Sequence, residues 1–127
     1  MSSRLDDELW SLVPHPGGAP PRVLSDFVSS LDPAVAALDL GCGDGRLSGF
    51  IPAERLTLAD VSAVALSRAA ERLPAAHTLE LEPDAPLPVP DNAMDLVVCA
   101  ETLEHVRTCS CCSPRCAGCC APAAGSR

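Results

Sequence analysis

The sequence predicts an α/β protein built on a doubly wound parallel sheet, and three features of the first half of the chain support this. An apolar run at 35–40 stops at a turn in which Gly41, Gly43 and Gly45 alternate with other residues. Without a Cβ, such a turn can adopt positive φ angles and approach a ligand closely. A second apolar run ends at Asp60, where an amphipathic helical pattern begins. Strand, glycine turn and helix form half of a nucleotide-binding βαβ unit.

Two amphipathic helices are predicted before the sheet. Residues 3–13 and about 21–31 have apolar side chains at helical spacing, and a segment rich in proline and glycine separates them. We expect these helices, which form an N-terminal helical segment over residues 1–30, to cover the crevice above the sheet or to pack beside it.

After the glycine turn, the pattern alternates between helix and strand. A short helix is predicted at 46–50, ended by Pro52, with its amino end toward the crevice. The remaining elements are strand two at 56–59, a helix capped by Ser62 that runs to residue 73, strand three at 77–81 and strand four at 94–99. A proline-rich loop at 82–92 leads into strand four.

The spacing of the glycines separates two classes of cofactor. A dinucleotide fingerprint, G-x-G-x-x-G, requires glycine at position 46, where this chain has Arg46. With Asp39, the stretch reads D-x-G-x-G-x-G, which resembles the first motif of class I S-adenosylmethionine-dependent methyltransferases. A glycine turn that merely connects a strand to a helix is the alternative interpretation.

Two later segments resemble the same family. Asp60 stands at the tip of strand two, where a carboxylate can accept hydrogen bonds from both ribose hydroxyls; capping the following helix is its alternative role. The segment DAPLPVPDNAMDLVVCAETLEHV, residues 84–106, is similar to the family's adenine-recognition loop and its strand four. The resemblance covers about residues 31–106, the predicted cofactor-binding domain, and is to the small-molecule type.

The resemblance implies a Rossmann-like sheet with strand order 3-2-1-4 and helices on both faces. It also implies the site that binds S-adenosylmethionine. The turn from Gly41 through Gly43 to Gly45 would hold the methionine part, with Asp39 near its amino group and Asp60 on the ribose. Asp84 and the Ala85 amide would recognise adenine, and the backbone around Ala100 would close the floor below the sulfonium.

The implied reaction is direct displacement of the methyl group from sulfur toward a small-molecule acceptor. Its main requirement is alignment of the acceptor with the methyl carbon and sulfur. An acidic acceptor would also need a base, for which His105, just after strand four, is the candidate; a structural role is the alternative. A non-catalytic cofactor-binding fragment and an NAD-dependent oxidoreductase remain alternatives for the whole chain.

The charge distribution argues against polyanionic partners. Residues 1–106 contain six arginines and seventeen acidic residues, and the chain has no lysine. An acidic body disfavours binding to nucleic acid or anionic lipid, and no apolar run is long enough to cross a membrane. We therefore expect a cytoplasmic protein without a nucleic-acid or membrane partner.

Residues 107–127 differ from everything before them. They contain six of the eight cysteines and no Leu, Ile, Val, Met or aromatic residue, so they are predicted to be a disordered tail. The pattern C-x2-C-x3-C-x2-C is much tighter than a four-cysteine zinc ribbon, and we predict no metal. We expect a methyltransferase that is truncated or frame-shifted after strand four, with that strand exposed for self-association. Translation of the other two reading frames from codon 106 tests the frame shift.

Overall fold

A computed structural model describes residues 3–15, 18–83, 85–90 and 92–99 of the chain. Within these ranges, it contains three α-helices and four β-strands. In chain order they are α1 (Ser3–Leu12), α2 (Arg22–Ser29), β1 (Ala34–Leu40), β2 (Ala53–Asp60), α3 (Ala63–Arg72), β3 (His77–Glu80) and β4 (Leu96–Val98). A single 3-10 turn, Ser48–Phe50, lies between β1 and β2.

The four strands form one parallel sheet in the order β3-β2-β1-β4. This confirms the predicted α/β class and the strand order. The central strand β1 is buried from Ala36 to Leu40, because its side chains meet apolar partners on both faces. Since the strands are parallel, their carboxyl ends share one edge of the sheet, where Leu40 leads into the glycine turn.

Helices α2 and α3 pack on the same face of the sheet. Val28 of α2 packs with Ala37 and Val98, while Leu66 of α3 packs on Leu58. Residues 37, 58 and 98 lie on the same face because partners in parallel register share a face. The preference for right-handed crossovers accounts for the position of α3, which connects β2 to β3, whereas α2 precedes β1 and belongs to no crossover.

The opposite face is covered by a loop over the described residues, not by a helix as predicted. Leu38 and Val97 on that face pack with Leu87, Val89 and Met94 from the connection between β3 and β4. This connection steps back across the sheet, so the same rule of handedness moves it to the other side. Its prolines keep the segment extended, and the apolar side chains between them fill the space.

Several element boundaries differ from the sequence-based predictions. The helix expected at 46–50 is only the 3-10 turn, because Pro52 follows closely and the Ile51 amide donates to the Ser48 carbonyl. No α-helix therefore directs its amino end at the crevice from this segment. Strand β2 starts earlier, since the Ala34 amide bonds to the Pro52 carbonyl and Ala34 pairs with Ala53. Strand β4 is shorter than predicted.

Candidate functional site

The glycine turn joins β1 to the 3-10 turn and has the backbone conformation that was predicted. Gly41, Gly43 and Gly45 have φ angles of +74°, +58° and +79°. The amides of Gly41 and Cys42 both donate to the Ala59 carbonyl, at 2.7 and 3.0 Å, which fixes the start of the turn to the end of β2. The turn is therefore a rigid part of the sheet edge.

Two of these glycines also allow close packing by helices. A Cβ on Gly45 would lie 3.2 Å from the Cβ of Ala69, so Gly45 lets the turn approach α3. A Cβ on Gly43 would lie only 2.7 Å from Cζ2 of Trp10, so the indole of α1 rests directly on this glycine. The second contact brings the N-terminal helix to the turn that the resemblance assigns to the cofactor.

Asp60 at the end of β2 holds the turn from below. Its Oδ2 accepts a hydrogen bond from the Gly43 amide at 2.9 Å, and its Oδ1 accepts one from the Ser62 amide at 3.0 Å. The second contact is not the helix cap considered as its alternative, because Ser62 caps α3 by accepting from the Ala65 amide at 3.1 Å. The first contact ties Asp60 to the glycine turn. A carboxylate has about four acceptor positions, so two remain for a ligand.

Asp39, at the end of β1, is a buried carboxyl group that faces the same crevice. It accepts a hydrogen bond from the Ser48 hydroxyl. Burial raises the pKa of Asp39 to about 6; the Ser48 hydrogen bond opposes this shift, and the charge of Asp60 adds to it. Burial also raises the pKa of the Cys42 thiol, and Asp39 and Asp60 raise it further, so this cysteine stays protonated.

Asp44 forms a second, fully paired carboxylate centre within the turn. The Arg46 guanidinium donates to both of its oxygens, at 3.1 and 2.8 Å, and Arg72 Nη2 lies 3.7 Å from Oδ2. Burial acts to raise the pKa of Asp44, but the hydrogen bonds and charge of Arg46, with a smaller contribution from Arg72, outweigh it and lower the pKa. Arg46, which replaces the third glycine of a dinucleotide fingerprint, therefore clamps the turn.

A cavity of about 370 Å³ opens at this edge of the sheet. Asp39, Gly41 and Gly43 line one side, and all three were predicted to contact the cofactor. The other side is formed by Trp10 and by Pro20, Pro21 and Leu24 of the N-terminal segment. Such a volume is within the usual range for small-molecule sites.

Sequence reasoning missed Trp10, Asp44 and Arg46. The tryptophan is the only one in the chain, but nothing in its local pattern shows that α1 ends on the glycine turn. The Asp44–Arg46 pair has a weak signal, since oppositely charged residues two apart in a tight turn can reach each other.

The remaining predicted site residues are not brought into the cavity. Gly45 belongs to the same turn and Asp60 accepts from the Gly43 amide, but neither residue lines the cavity. Ala85 is exposed, and its amide donates to the Glu82 carbonyl at 3.3 Å. Asp84, Ala100 and His105 fall outside the described residues, as does the cysteine-rich tail. In the described part of the chain, no group of three or more His, Cys, Asp or Glu side chains could hold a metal ion, and no helix could span a membrane.

Residues 38–123 match the protein family described as "Methyltransferase domain". A curated relative, trans-aconitate 2-methyltransferase of Paracidovorax citrulli (strain AAC00-1), is 38% identical over 80 residues, which are 60% of this chain and 31% of the relative. This chain thus spans about a third of the length of that relative.

Two solved structures show the similarity of fold. The [4+2]-cyclase SpnF has a TM-score of 0.57 and 24% identity, covering 76% of this chain and 48% of that chain. Phosphoethanolamine N-methyltransferase 1 of Haemonchus contortus, solved with phosphoethanolamine and S-adenosylhomocysteine, has a TM-score of 0.50 and 21% identity, covering 60% of this chain and 18% of that chain.

Proposed function

Because this chain belongs to the methyltransferase domain family, we propose that it binds S-adenosylmethionine in the cavity beside the glycine turn and directs its methyl group to a small-molecule acceptor. The observation that carries the proposal is the position of the D-x-G-x-G-x-G turn: Asp39, Gly41 and Gly43 line the cavity, at the carboxyl edge of a parallel sheet. Ligands of open α/β sheets bind at this edge.

The residues present fit such a cofactor. S-adenosylmethionine supplies a methyl group on a positively charged sulfonium and also carries an ammonium group. Asp44 is neutralised by Arg46, whereas Asp39 and Asp60 form no ion pair within the described part of the chain and favour a positively charged ligand. The missing side chains of Gly41 and Gly43 let a ligand reach the turn backbone.

We propose the following roles for individual residues. Asp39 would accept from the ammonium group, and Asp60 would accept from the ribose while holding the turn through Gly43. Asp84, Ala85 and Ala100 keep the adenine and floor roles that the resemblance implies, and His105 that of a base for an acidic acceptor. Because methyl transfer needs alignment more than proton movement, a rigid turn clamped by Asp44 and Arg46 is the main contribution of the described residues.

The small-molecule acceptor is supported by the names of two similar proteins, which act on trans-aconitate and phosphoethanolamine. One observation favours a different outcome: SpnF shares the fold but is named a [4+2]-cyclase. A chain that binds the cofactor without transferring methyl is therefore the second candidate. The cytoplasmic location and the absence of a nucleic-acid partner stay predictions.

Calorimetric titration of the full chain with S-adenosylhomocysteine and with NAD tests the proposal. We expect saturable binding of the first and much weaker binding of the second, because Arg46 occupies the place of a dinucleotide-binding glycine. Tighter binding of NAD would contradict the methyltransferase reading. Release of S-adenosylhomocysteine from S-adenosylmethionine in the presence of carboxylate and amino-alcohol acceptors then separates an enzyme from a cofactor-binding chain.

A further inference from the structure

We propose that Trp10 forms a wall of the cofactor site and contacts bound S-adenosylmethionine, and that Asp7 positions it by fixing α1 to the first turn of α3. This inference rests on the proposed function, since it concerns the same cavity. It assigns a binding role to the N-terminal helix, which the sequence pattern left undecided between covering the crevice and packing beside it.

The first observation is the contact between Trp10 and the glycine turn. Cζ2 and Cη2 of Trp10 lie 2.7 and 2.9 Å from where a Cβ of Gly43 would be, so the indole contacts the turn backbone and leaves no room for a side chain. Trp10 also lines the cavity together with Asp39 and Gly41. A ligand that reaches the turn from this cavity therefore meets the ring.

The chemistry of the ring suits the ligand. An aromatic face attracts a cation within about 6 Å of its centre, and the effect increases where water is excluded. The cofactor carries two positive groups, and the nearby Arg46 is already paired with Asp44. Trp10 thus supplies an uncharged surface that favours a cation beside the carboxylate of Asp39.

The second observation is the attachment of α1 through Asp7, which lies one helical turn before Trp10. Asp7 Oδ1 accepts hydrogen bonds from the Ser62 hydroxyl at 2.6 Å and from the Val64 amide at 3.1 Å. These hydrogen bonds lower the pKa of Asp7, so its side chain is charged at neutral pH. Residues three apart on a helix share a face, so this attachment also sets the position of Trp10.

The contacts just described form a continuous series that starts at Asp7 and returns to the same helix at Trp10. Asp7 bonds to the Ser62 hydroxyl, and the Ser62 amide bonds to Asp60. Asp60 accepts from the Gly43 amide, and Gly43 supports Trp10, three residues from Asp7. Each of these residues is thereby linked, directly or through its neighbours, to the turn that the cofactor would contact.

The other end of α1 is held independently, which makes the attachment testable. Arg68 donates to the Val13 carbonyl at 2.9 Å, and His15 Nε2 lies 2.9 Å from Glu71 Oε2. Removing the Asp7 carboxylate should loosen the body of α1, including the turn that carries Trp10, while residues 13–15 stay attached to α3. The variant therefore is expected to remain folded.

Tryptophan fluorescence provides a readout specific to this residue, because the chain has one tryptophan and no tyrosine. We expect titration of the full chain with S-adenosylhomocysteine to change the emission of Trp10 with the same midpoint as the calorimetric titration. Asp7→Ala should shift the emission of the unliganded protein toward that of an exposed indole and weaken binding by about fivefold or more. Trp10→Phe should retain more affinity than Trp10→Ala.

Glu8→Ala is the matched control, because Glu8 is the adjacent acid on α1 and its carboxylate pairs with Arg4 on the surface. It should leave emission and affinity unchanged. A purely structural Trp10 predicts altered unfolding in the variants with unchanged affinity per folded molecule, and that result would overturn the inference. Ligand binding without any change in wild-type emission would overturn it as well. Should the wild type fail to bind S-adenosylhomocysteine, both the inference and the proposed function are wrong.

Discussion

At the scale of single residues, ionisation of Asp39 should have opposite effects on folding stability and on cofactor binding. Its pKa is raised from 3.8 to about 6 in the folded chain, chiefly by burial. The folded state therefore holds this proton more tightly than the unfolded state. The resulting stabilisation is complete below pH 3.8 and is lost as the pH rises through about 6. A cationic ligand favours the ionised form, so its affinity should rise over the same pH range.

Asp39→Asn is expected to stabilise the protein at pH 8 and to weaken binding of S-adenosylmethionine. The amide keeps an acceptor for Ser48 but has no charge to bury, so the free energy of unfolding should increase by up to about 3 kcal/mol. Urea unfolding at pH 4.5 and pH 8 measures the first effect, and calorimetry the second. If Asp39→Asn is less stable than the wild type at pH 8, then the surroundings of Asp39 stabilise its charge and burial does not destabilise it.

Asp60→Ala is expected to weaken cofactor binding at least tenfold, because hydrogen bonds to a carboxylate contribute about 1.5 to 3 kcal/mol each. The substitution also removes the acceptor of the Gly43 and Ser62 amides, so some stability should be lost. Affinity per folded molecule distinguishes the two effects. Asp32→Ala, at an exposed position before β1, is the control. Equal affinities of the Asp60→Ala and Asp32→Ala variants would show that Asp60 has only a structural role.

The residues of the site differ in how far the sequence could predict them. Gly41, Gly43 and Gly45 were predictable because positive φ angles are a local property with a strong residue preference. The Asp44–Arg46 clamp and the contact of Trp10 with Gly43 were not, because each depends on where a side chain lies in the folded chain. The short helix at 46–50 was wrong because its few residues satisfy their hydrogen bonds in one 3-10 turn.

At the scale of elements, the glycine turn and α3 pack so closely that a side chain at Gly45 is strained. Gly45→Ala combines a positive φ with a Cβ 3.2 Å from that of Ala69, and should lower the free energy of unfolding by about 1 to 3 kcal/mol. Gly18→Ala is the control, because nothing lies within 4 Å of its added Cβ. Denaturant unfolding of both variants measures the difference. A Gly45→Ala variant as stable as Gly18→Ala would show that the turn can move away from α3.

Helix α2 has one valine on its buried face and another on its exposed face. Val28 is 2% exposed against the sheet, and Val23 on the same helix is 75% exposed. Val28→Ala should lower the free energy of unfolding by about 2 kcal/mol, because it removes two buried carbons and leaves a cavity. Val23→Ala should change it by less than about 0.5 kcal/mol. Equal losses would mean that Val23 is covered in solution.

For α1, the sequence predicted a helix but not the face that packs. Leu5, Leu9 and Leu12 have the spacing of a buried stripe, yet all three are exposed in the described part of the chain. The helix is held instead by polar contacts of Asp7 and of the Val13 carbonyl, and by packing of Trp10 on Gly43. Periodicity reports which residues share a face, whereas the partner of that face is decided by the whole fold.

At the scale of the whole molecule, the described sheet ends at β4. Leu96, Val97 and Val98 are buried on both faces, and within the described ranges β1 is the only strand that pairs with β4. An apolar strand with one unpaired edge favours pairing with a second chain. We expect concentration-dependent association in size-exclusion chromatography and fast hydrogen exchange at residues 96–98 at low concentration. A monodisperse monomer with slow exchange there would show that the edge is covered.

The overall architecture was the most predictable part, since the alternation of apolar runs with helical patterns requires little long-range information. It was harder to predict which face of the sheet each connection between strands covers. Leu87, Val89 and Met94 lie among prolines in a segment that reads as a loop, but they cover one face of the sheet. Loop segments carry no periodicity from which such burial could be predicted.

The attachment of α1 to α3 also sets the order in which the chain can fold during synthesis. Ser62 follows Asp7 by 55 residues, and Arg68 follows Val13 by the same number. At roughly 5 to 20 residues per second, a ribosome needs about 3 to 11 s to complete that interval. A helix of ten residues is marginal on its own, so α1 spends those seconds largely unfolded near the ribosome. The wall that Trp10 provides is consequently assembled only after β1, β2 and α3 exist to receive it.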